Sequence, residues 1–200
     1  MLEVIDQIRA SLAAYQPREV APEGRRPAAV LIPLYEHRDD LHVVFTRRAD
    51  NLEHHSGQIS FPGGSTEPED DGPAGTALRE SWEEIGIAPD HVELLGRVDD
   101  LVTGTGFHIT PFVGLLDRAF SPYPWRPVEA EVAEIIEVPL RHLLDPANRE
   151  LVVREVRDGT VLREAYRFGA HVIWGATASM LTNFLALIDH YSCPGLKTEA

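Results

Sequence analysis

The chain has 200 residues, 44% of them hydrophobic, and a formal net charge of −14. That length and apolar content suffice for one sizeable core. An acidic balance of this size argues against nonspecific nucleic-acid binding and against attachment to an anionic membrane, because both partners carry the same sign of charge.

In chain order, Leu2, Ile5, Ile8 and Leu12 recur at helical spacing and predict an amphipathic N-terminal helix over about 2–15. A connector rich in proline and charge follows. AAVLIPLY and LHVVFTRR, separated by EHRDD, read as a strand, turn, strand unit, and QISF leads into Pro62, Gly63 and Gly64. A helix is predicted from 73 to 85, since Pro73 suits its first position and Gly86 the residue just past its end. VELLGRVDDLV and HITPFVGLL give further strands around the turn TGTG. RAFSPYPWRPVEAE reads as a long, proline-punctuated loop and a candidate substrate-facing insertion. After it come IIEVPL, a short helix RHLLD, a hairpin turning at Asp158 and Gly159, and a strand HVIW. An apolar C-terminal helix is predicted over about 175–191. Strands mixed with three longer helices predict an α/β protein, a mixed sheet covered on both faces, in one domain spanning 1–200. The lone Cys193 has no partner for an internal disulfide, and no stretch reads as a signal peptide or a membrane span, so a cytoplasmic protein is expected. The apolar terminal helices are candidates for a homodimer contact.

The helix over 73–85 carries the chemical signal. Ala74, Ala77, Leu78, Ser81 and Ile85 fall on one stripe, the expected core side, while Glu80, Glu83 and Glu84 crowd an adjacent face near its C-terminus. Glu80 and Glu84 are a like-charge i,i+4 pair, which costs a few tenths of a kcal/mol. Acids at a helix C-terminus oppose the macrodipole by roughly 0.3–1 kcal/mol each. A hard divalent cation would offset both costs, because Mg²⁺ and Mn²⁺ choose carboxylate oxygens and keep waters and phosphates as their other ligands.

The run from Gly64 through Arg79-Glu80 to Glu83-Glu84-Ile85-Gly86-Ile87, about 64–87, resembles the Nudix box of hydrolases that cleave a nucleoside diphosphate linked to another moiety. Asp70 stands where the common box has glutamate, the spacer from it to Arg79 is one residue longer, and Ser81 replaces a bulky apolar residue. Those irregularities, with the upstream FTRRADNLEHHSGQISFPGG, resemble the coenzyme A pyrophosphatase branch; Glu53 departs from it, standing where the branch has arginine. Weaker matches run through RPAAVLIPL, TGF, ITPFVG, EVAEIIEVPL and IWGATA.

The resemblance implies a Nudix fold, an α/β/α sandwich with an added N-terminal helix. It also implies Mg²⁺- or Mn²⁺-dependent hydrolysis of a small nucleotide substrate of the coenzyme A type to 3′,5′-ADP and 4′-phosphopantetheine. Glu80 and Glu84 would be the primary metal ligands, with Glu83 and the carbonyl near Gly64 completing the set. Arg79 would orient a catalytic glutamate or the loop carbonyls, Gly63 and Gly64 would let the backbone approach metal or phosphate, and Arg48 would reach a substrate phosphate. Glu131 is the first candidate for the general base, with Asp99 and Asp100 behind it. His54 and His55 read as loop residues without a zinc-spaced partner. ADP-ribose or a dinucleoside polyphosphate is an alternative substrate, and a Nudix-fold nucleotide sensor without hydrolysis is the alternative of a different class.

Overall fold

A computed structural model describes residues 2–50, 57–156 and 159–189, without the side chains of 154–156 and 189. Glu53, His54, His55, Asp158, Cys193 and the last two positions of the predicted C-terminal helix lie outside the described residues.

The elements follow as α1 (Leu2–Ala14), β1 (Arg26–His37), β2 (Asp40–Arg48), β3 (Ile59–Ser60), β4 (Gly63–Ser65), α2 (Gly72–Ile85), β5 (Val92–Arg97), β6 (Leu101–Val102) and β7 (Phe107–Leu116). Then come β8 (Val132–Pro139), α3 (Leu140–Leu144), β9 (Arg149–Val156), β10 (Gly159–Phe168), β11 (His171–Ile173) and α4 (Gly175–Asp189). Eight strands form a mixed sheet ordered β3-β2-β1-β7-β5, with β4 also on β1, β6 on β7 and β8 on β2. The β1–β7 pair is parallel, Ala29 opposite Thr110, and β1–β2 is an antiparallel hairpin.

The continuous apolar run of β1 reflects burial on both faces. Val30, Ile32 and Leu34 point into one core with α1 and α4, through Ile8, Leu12, Phe184 and Leu185. Ala29, Leu31 and Tyr35 point into a second core beneath α2, with Ala77, Ile85 and Ile87. This is the α/β sandwich with a mixed sheet and an N-terminal helix.

Three expectations change. The hairpin and the HVIW strand do not join the main sheet; β11, β10 and β9 form a separate three-stranded sheet. Most of the apolar side chains of α1 and α4, the candidates for a homodimer contact, are spent in the core: Val4, Ile5, Ile8 and Leu12, and Leu181, Phe184, Leu185 and Ile188, are all buried, while Leu2 stays exposed. The loop over 118–131 is not a free insertion. Tyr123 is buried in the second core, and Trp125 packs beside it with its indole N–H donating to Glu137. The loop also serves α2: the amides of Arg126 and Val128 donate to the carbonyls of Ile85 and Glu84 at 3.0 and 2.9 Å. These bonds satisfy acceptors that a helix C-terminus leaves open.

Candidate active site

Helix α2 ends on Gly86, whose φ of 76° places it in the left-handed region, with its amide bonded back to the Trp82 carbonyl. This is the glycine stop that lets the chain turn away and keeps the glutamates on the final turns. The buried side of α2 is Thr76, Ala77, Ser81, Glu84 and Ile85; Ala74 and Leu78 are half-buried, so the inner face is rotated from the expected stripe and takes in Glu84. Ser81, where an apolar residue is usual, is fully buried and spends its hydroxyl on the Ala77 carbonyl at 2.6 Å.

Glu84 is 6% exposed and receives the Gly63 amide at 3.2 Å. Burial pushes its carboxyl up to about 8, aided by the charges of Glu80 and Glu131 and opposed by the Gly63 amide and Arg48. Glu80 is raised as well, first by burial, with Arg79 acting against the shift and Glu83 and Glu131 adding to it. The two glutamates and Glu131 thus lie within electrostatic reach of one another. Glu131 itself is exposed and is held at its backbone, where its carbonyl accepts from Ala49 at 2.8 Å.

Arg79 ties the acidic turn to the preceding loop. Its Nε donates to Asp70 Oδ1 at 2.7 Å, Nη2 to Asp70 Oδ2 at 3.2 Å and to the Ser65 carbonyl at 3.0 Å, and Nη1 to Glu83 at 2.9 Å. Nη1 also lies 3.1 Å from Glu80. Asp70 accepts further from Thr76 Oγ1 and the Glu67 amide, and this set of donors, Arg79 foremost, holds its carboxyl far below the usual range.

The glycines are dictated by close approach. At Gly63, with φ of 153°, a Cβ would sit 2.6 Å from Val30 Cα. At Gly64 it would fall on the Glu80 carboxylate, 2.7 Å from Oε2. Any side chain there would displace the acid, whereas hydrogen lets backbone and carboxylate share one small volume.

A cleft of about 390 Å³ opens beside this centre, with Arg48 and Gly63 in its wall and Phe61, Phe107, Trp174 and Met180 as its apolar lining. The Arg48 Nε is buried without a hydrogen-bond partner among the described residues. A groove of similar size, about 440 Å³, lies between α1 and β5 and contains none of the box carboxylates. Asp99 and Asp100 are occupied elsewhere: Asp99 accepts from the Tyr15 hydroxyl and the Arg18 amide, and Asp100 pairs with Arg97 and His108. Sequence reasoning missed the gathering of Phe107, Trp174 and Met180 into one cleft. The only hint was that TGF and IWGATA fell within the resemblance.

The donor set fits a hard divalent cation. Glu84 is a buried carboxylate with a single backbone donor, and Glu80 lies against glycine backbone. Among the described residues no three carboxylate or imidazole side chains converge as a ready cage, since Glu83 is drawn outward onto Arg79. One or two carboxylates completed by waters and substrate phosphates are the usual Mg²⁺ arrangement.

A pH dependence follows. Between the ordinary 4.5 and about 8, folded Glu84 keeps a proton that the unfolded chain has lost, so metal-free stability falls as pH rises through that window. Asp70 acts oppositely: its lowered pKa supplies stability above the ordinary 3.8 that is lost as pH falls below it. Thermal melts of metal-free protein are expected to peak near pH 5 and decline toward pH 8. Mg²⁺ or Mn²⁺ should raise the midpoint more at pH 8 than at pH 5, because the ion takes the deprotonated ligand. A melting temperature flat from pH 5 to 8 would contradict the burial of Glu84.

Comparison with known proteins gives the family. The NUDIX domain family matches residues 24–156. An uncharacterized Nudix hydrolase, NudL, of Yersinia pestis (strain Pestoides F) is 37% identical over 158 residues, covering 78% of this chain and 76% of its own. NudL of Yersinia pseudotuberculosis serotype O:1b (strain IP 31758) matches equally. Among solved structures, a MutT/nudix family protein from Enterococcus faecalis superimposes with a TM-score of 0.55 at 13% identity, over 92% of this chain and 69% of its own. That likeness concerns the fold.

Proposed function

The chain belongs to the Nudix family of phosphate-anhydride hydrolases, which generally use divalent metal ions, and from that premise we propose that it cleaves the diphosphate of coenzyme A or its derivatives. The products are 3′,5′-ADP and 4′-phosphopantetheine or its acyl form. The observation that carries the reading is Glu84, a desolvated carboxylate beside Glu80 and within reach of Glu131, at the edge of a cleft that holds Arg48. The coenzyme A branch rests on the sequence: Asp70 with its lengthened spacer, the upstream run, and the cleft-lining segments TGF and IWGATA.

Glu80 and Glu84 would hold Mg²⁺ or Mn²⁺, the Gly64 carbonyl would add a ligand, and Glu83, held on Arg79, would complete the site through a second ion or a bound water. Such an ion would supply neutralisation of diphosphate charge and a lowered pKa for a bound water. Glu131 accepts that water's proton, its exposed side chain leaving room for solvent to enter. Arg48 receives a substrate phosphate through the guanidinium whose Nε has no hydrogen-bond partner among the described residues. Arg79 positions the centre by fixing Glu83 to Asp70 and the Ser65 carbonyl.

A substrate panel tests this reading. With Mg²⁺ or Mn²⁺ present, kcat/KM for coenzyme A is expected to exceed that for ADP-ribose by about tenfold or more, a difference of about 1.4 kcal/mol in transition-state binding. Faster ADP-ribose or dinucleoside polyphosphate cleavage would overturn the branch and leave the hydrolase standing. Binding of these ligands without cleavage of any would make the chain a sensor.

A further inference from the structure

The cleft beside the carboxylates has an arginine at each end. Its floor runs along β1 and β7, where Val30 pairs with Gly63, Ala28 with Ile109 and Arg26 with Phe107. Val30, Ile109 and Phe107 line the cleft, and alternation puts Arg26 on the same face of β1 as Val30. Gly63 and Arg48 stand at the near end. At the far end the Arg26 guanidinium lies over the Phe107 ring, 4.0 Å from its centroid, with Nη2 3.5 Å from the Thr105 carbonyl. Phe107 and Thr105 both line the cleft, so Arg26 forms its lip. Four residues of strand, about 13 Å, separate Arg26 from Val30. Arg26 is also unusual in what it lacks. The chain has 32 acidic residues against 18 basic ones, and the adjacent Arg25 is paired with Glu23 at 3.5 Å. Arg26 is exposed and has no carboxylate partner among the described residues. The ring steadies the guanidinium from one side while its charge stays unneutralised, an arrangement suited to a phosphate.

We propose that Arg26 is a specificity-determining residue for the nucleotide half of the substrate, receiving the 3′-phosphate of coenzyme A while the diphosphate lies at Glu80 and Glu84. The assignment rests on the coenzyme A reading and sharpens it. A cation at the far end of the cleft chooses between the two halves of that substrate. The pantetheine arm is uncharged and ends in a thiol, which gains nothing from a guanidinium. The adenosine half carries a phosphomonoester on its ribose, beyond the diphosphate, and a guanidinium holds such a group by charge-assisted hydrogen bonds. Its purine suits aromatic walls such as Phe107 and Trp174, on which a base can stack. ADP-ribose has no 3′-phosphate and would leave Arg26 unmatched. A site built to bind a charged group discriminates against an analogue that lacks it, so Arg26 is a physical source for the preference between these substrates.

Kinetics with coenzyme A and 3′-dephospho-coenzyme A, which differ only in that group, test the assignment. With Mg²⁺ present, wild-type kcat/KM for coenzyme A is expected to exceed that for the dephospho form by about tenfold or more. Arg26→Gln should cut this preference to about twofold or less, through a raised KM for coenzyme A rather than a lowered kcat. Arg26→Lys should keep part of it, since the charge remains and the fork is lost. An arginine with only a structural role would lower both substrates alike and leave the preference intact. Equilibrium binding of 3′,5′-ADP and 5′-AMP makes the same comparison without turnover: the wild-type chain should bind 3′,5′-ADP about tenfold tighter, and Arg26→Gln should remove the difference. If coenzyme A is not cut but this binding preference appears and depends on Arg26, the hydrolase reading fails and the phosphate site stands. Coenzyme A cut no faster than its dephospho form, equal binding of the two nucleotides, or a preference that Arg26→Gln leaves unchanged would overturn the proposal.

Discussion

Replacing Glu84 with glutamine is expected to lower kcat by about a thousandfold or more while leaving the metal-free protein at least as stable as wild type at pH 8. The two halves of that result come from one property. Glu84 is buried, and its charge is disfavoured by desolvation and by Glu80 and Glu131. Glutamine keeps the side chain's shape and an oxygen for the Gly63 amide, but it cannot ionise. A hard cation loses its anionic ligand, and charge stabilisation of this kind is worth about 100- to 1000-fold or more in rate. Folding loses nothing, since the charge was a cost. A residue with only a packing role would show the reverse, a falling melting temperature with residual turnover. Measuring kcat and the thermal midpoint on the same preparation separates the two cases, and near-wild-type turnover would remove Glu84 from the centre.

Arg79→Ala should instead damage both properties. The Asp70 side chain is 4% exposed and depends on Arg79 for two of its hydrogen bonds. Removing one partner of a buried pair costs about 3 kcal/mol, because the remaining charge is stranded. For a chain of this size that is about 6–12 °C in melting temperature. The turnover number should fall about 100-fold, since Glu83 and the Ser65 loop lose their shared anchor. Arg79→Lys should recover only part of either loss, because a single ammonium cannot span Asp70, Glu83 and the Ser65 carbonyl in the fixed fork that guanidinium provides. Full rescue by lysine would show that charge alone matters at this position.

Much of this was legible in the chain. Proline and glycine punctuation bounded α2 to within a residue, and periodicity found α1, α4 and the β1–β2 hairpin. The acids on the last turns of α2 announced themselves because helix physics disfavours them there. What escaped was tertiary. Glu84 and Glu80 look alike in sequence, yet Glu84 is the more deeply buried, because it falls on the inner face of α2 with its carboxylate on the Gly63 amide. The prolines of the loop over 118–131 suggested an insertion, whereas the burial of Tyr123 makes it part of the core. Asp70 could be matched to the box by spacing, but its grip on Arg79 depends on the chain path between them. The separate small sheet was hidden for a similar reason: alternation in LVVREV and TVLREAY marks strands without naming the sheet they join.

The most direct measurement follows coenzyme A by phosphorus NMR during incubation with the purified protein and Mg²⁺ or Mn²⁺. The account predicts that the diphosphate resonances disappear and two new phosphomonoester resonances replace them while the 3′-phosphate remains, and that chelating the metal stops the reaction. An unchanged diphosphate in the presence of metal, or cleavage that continues after chelation, would contradict it.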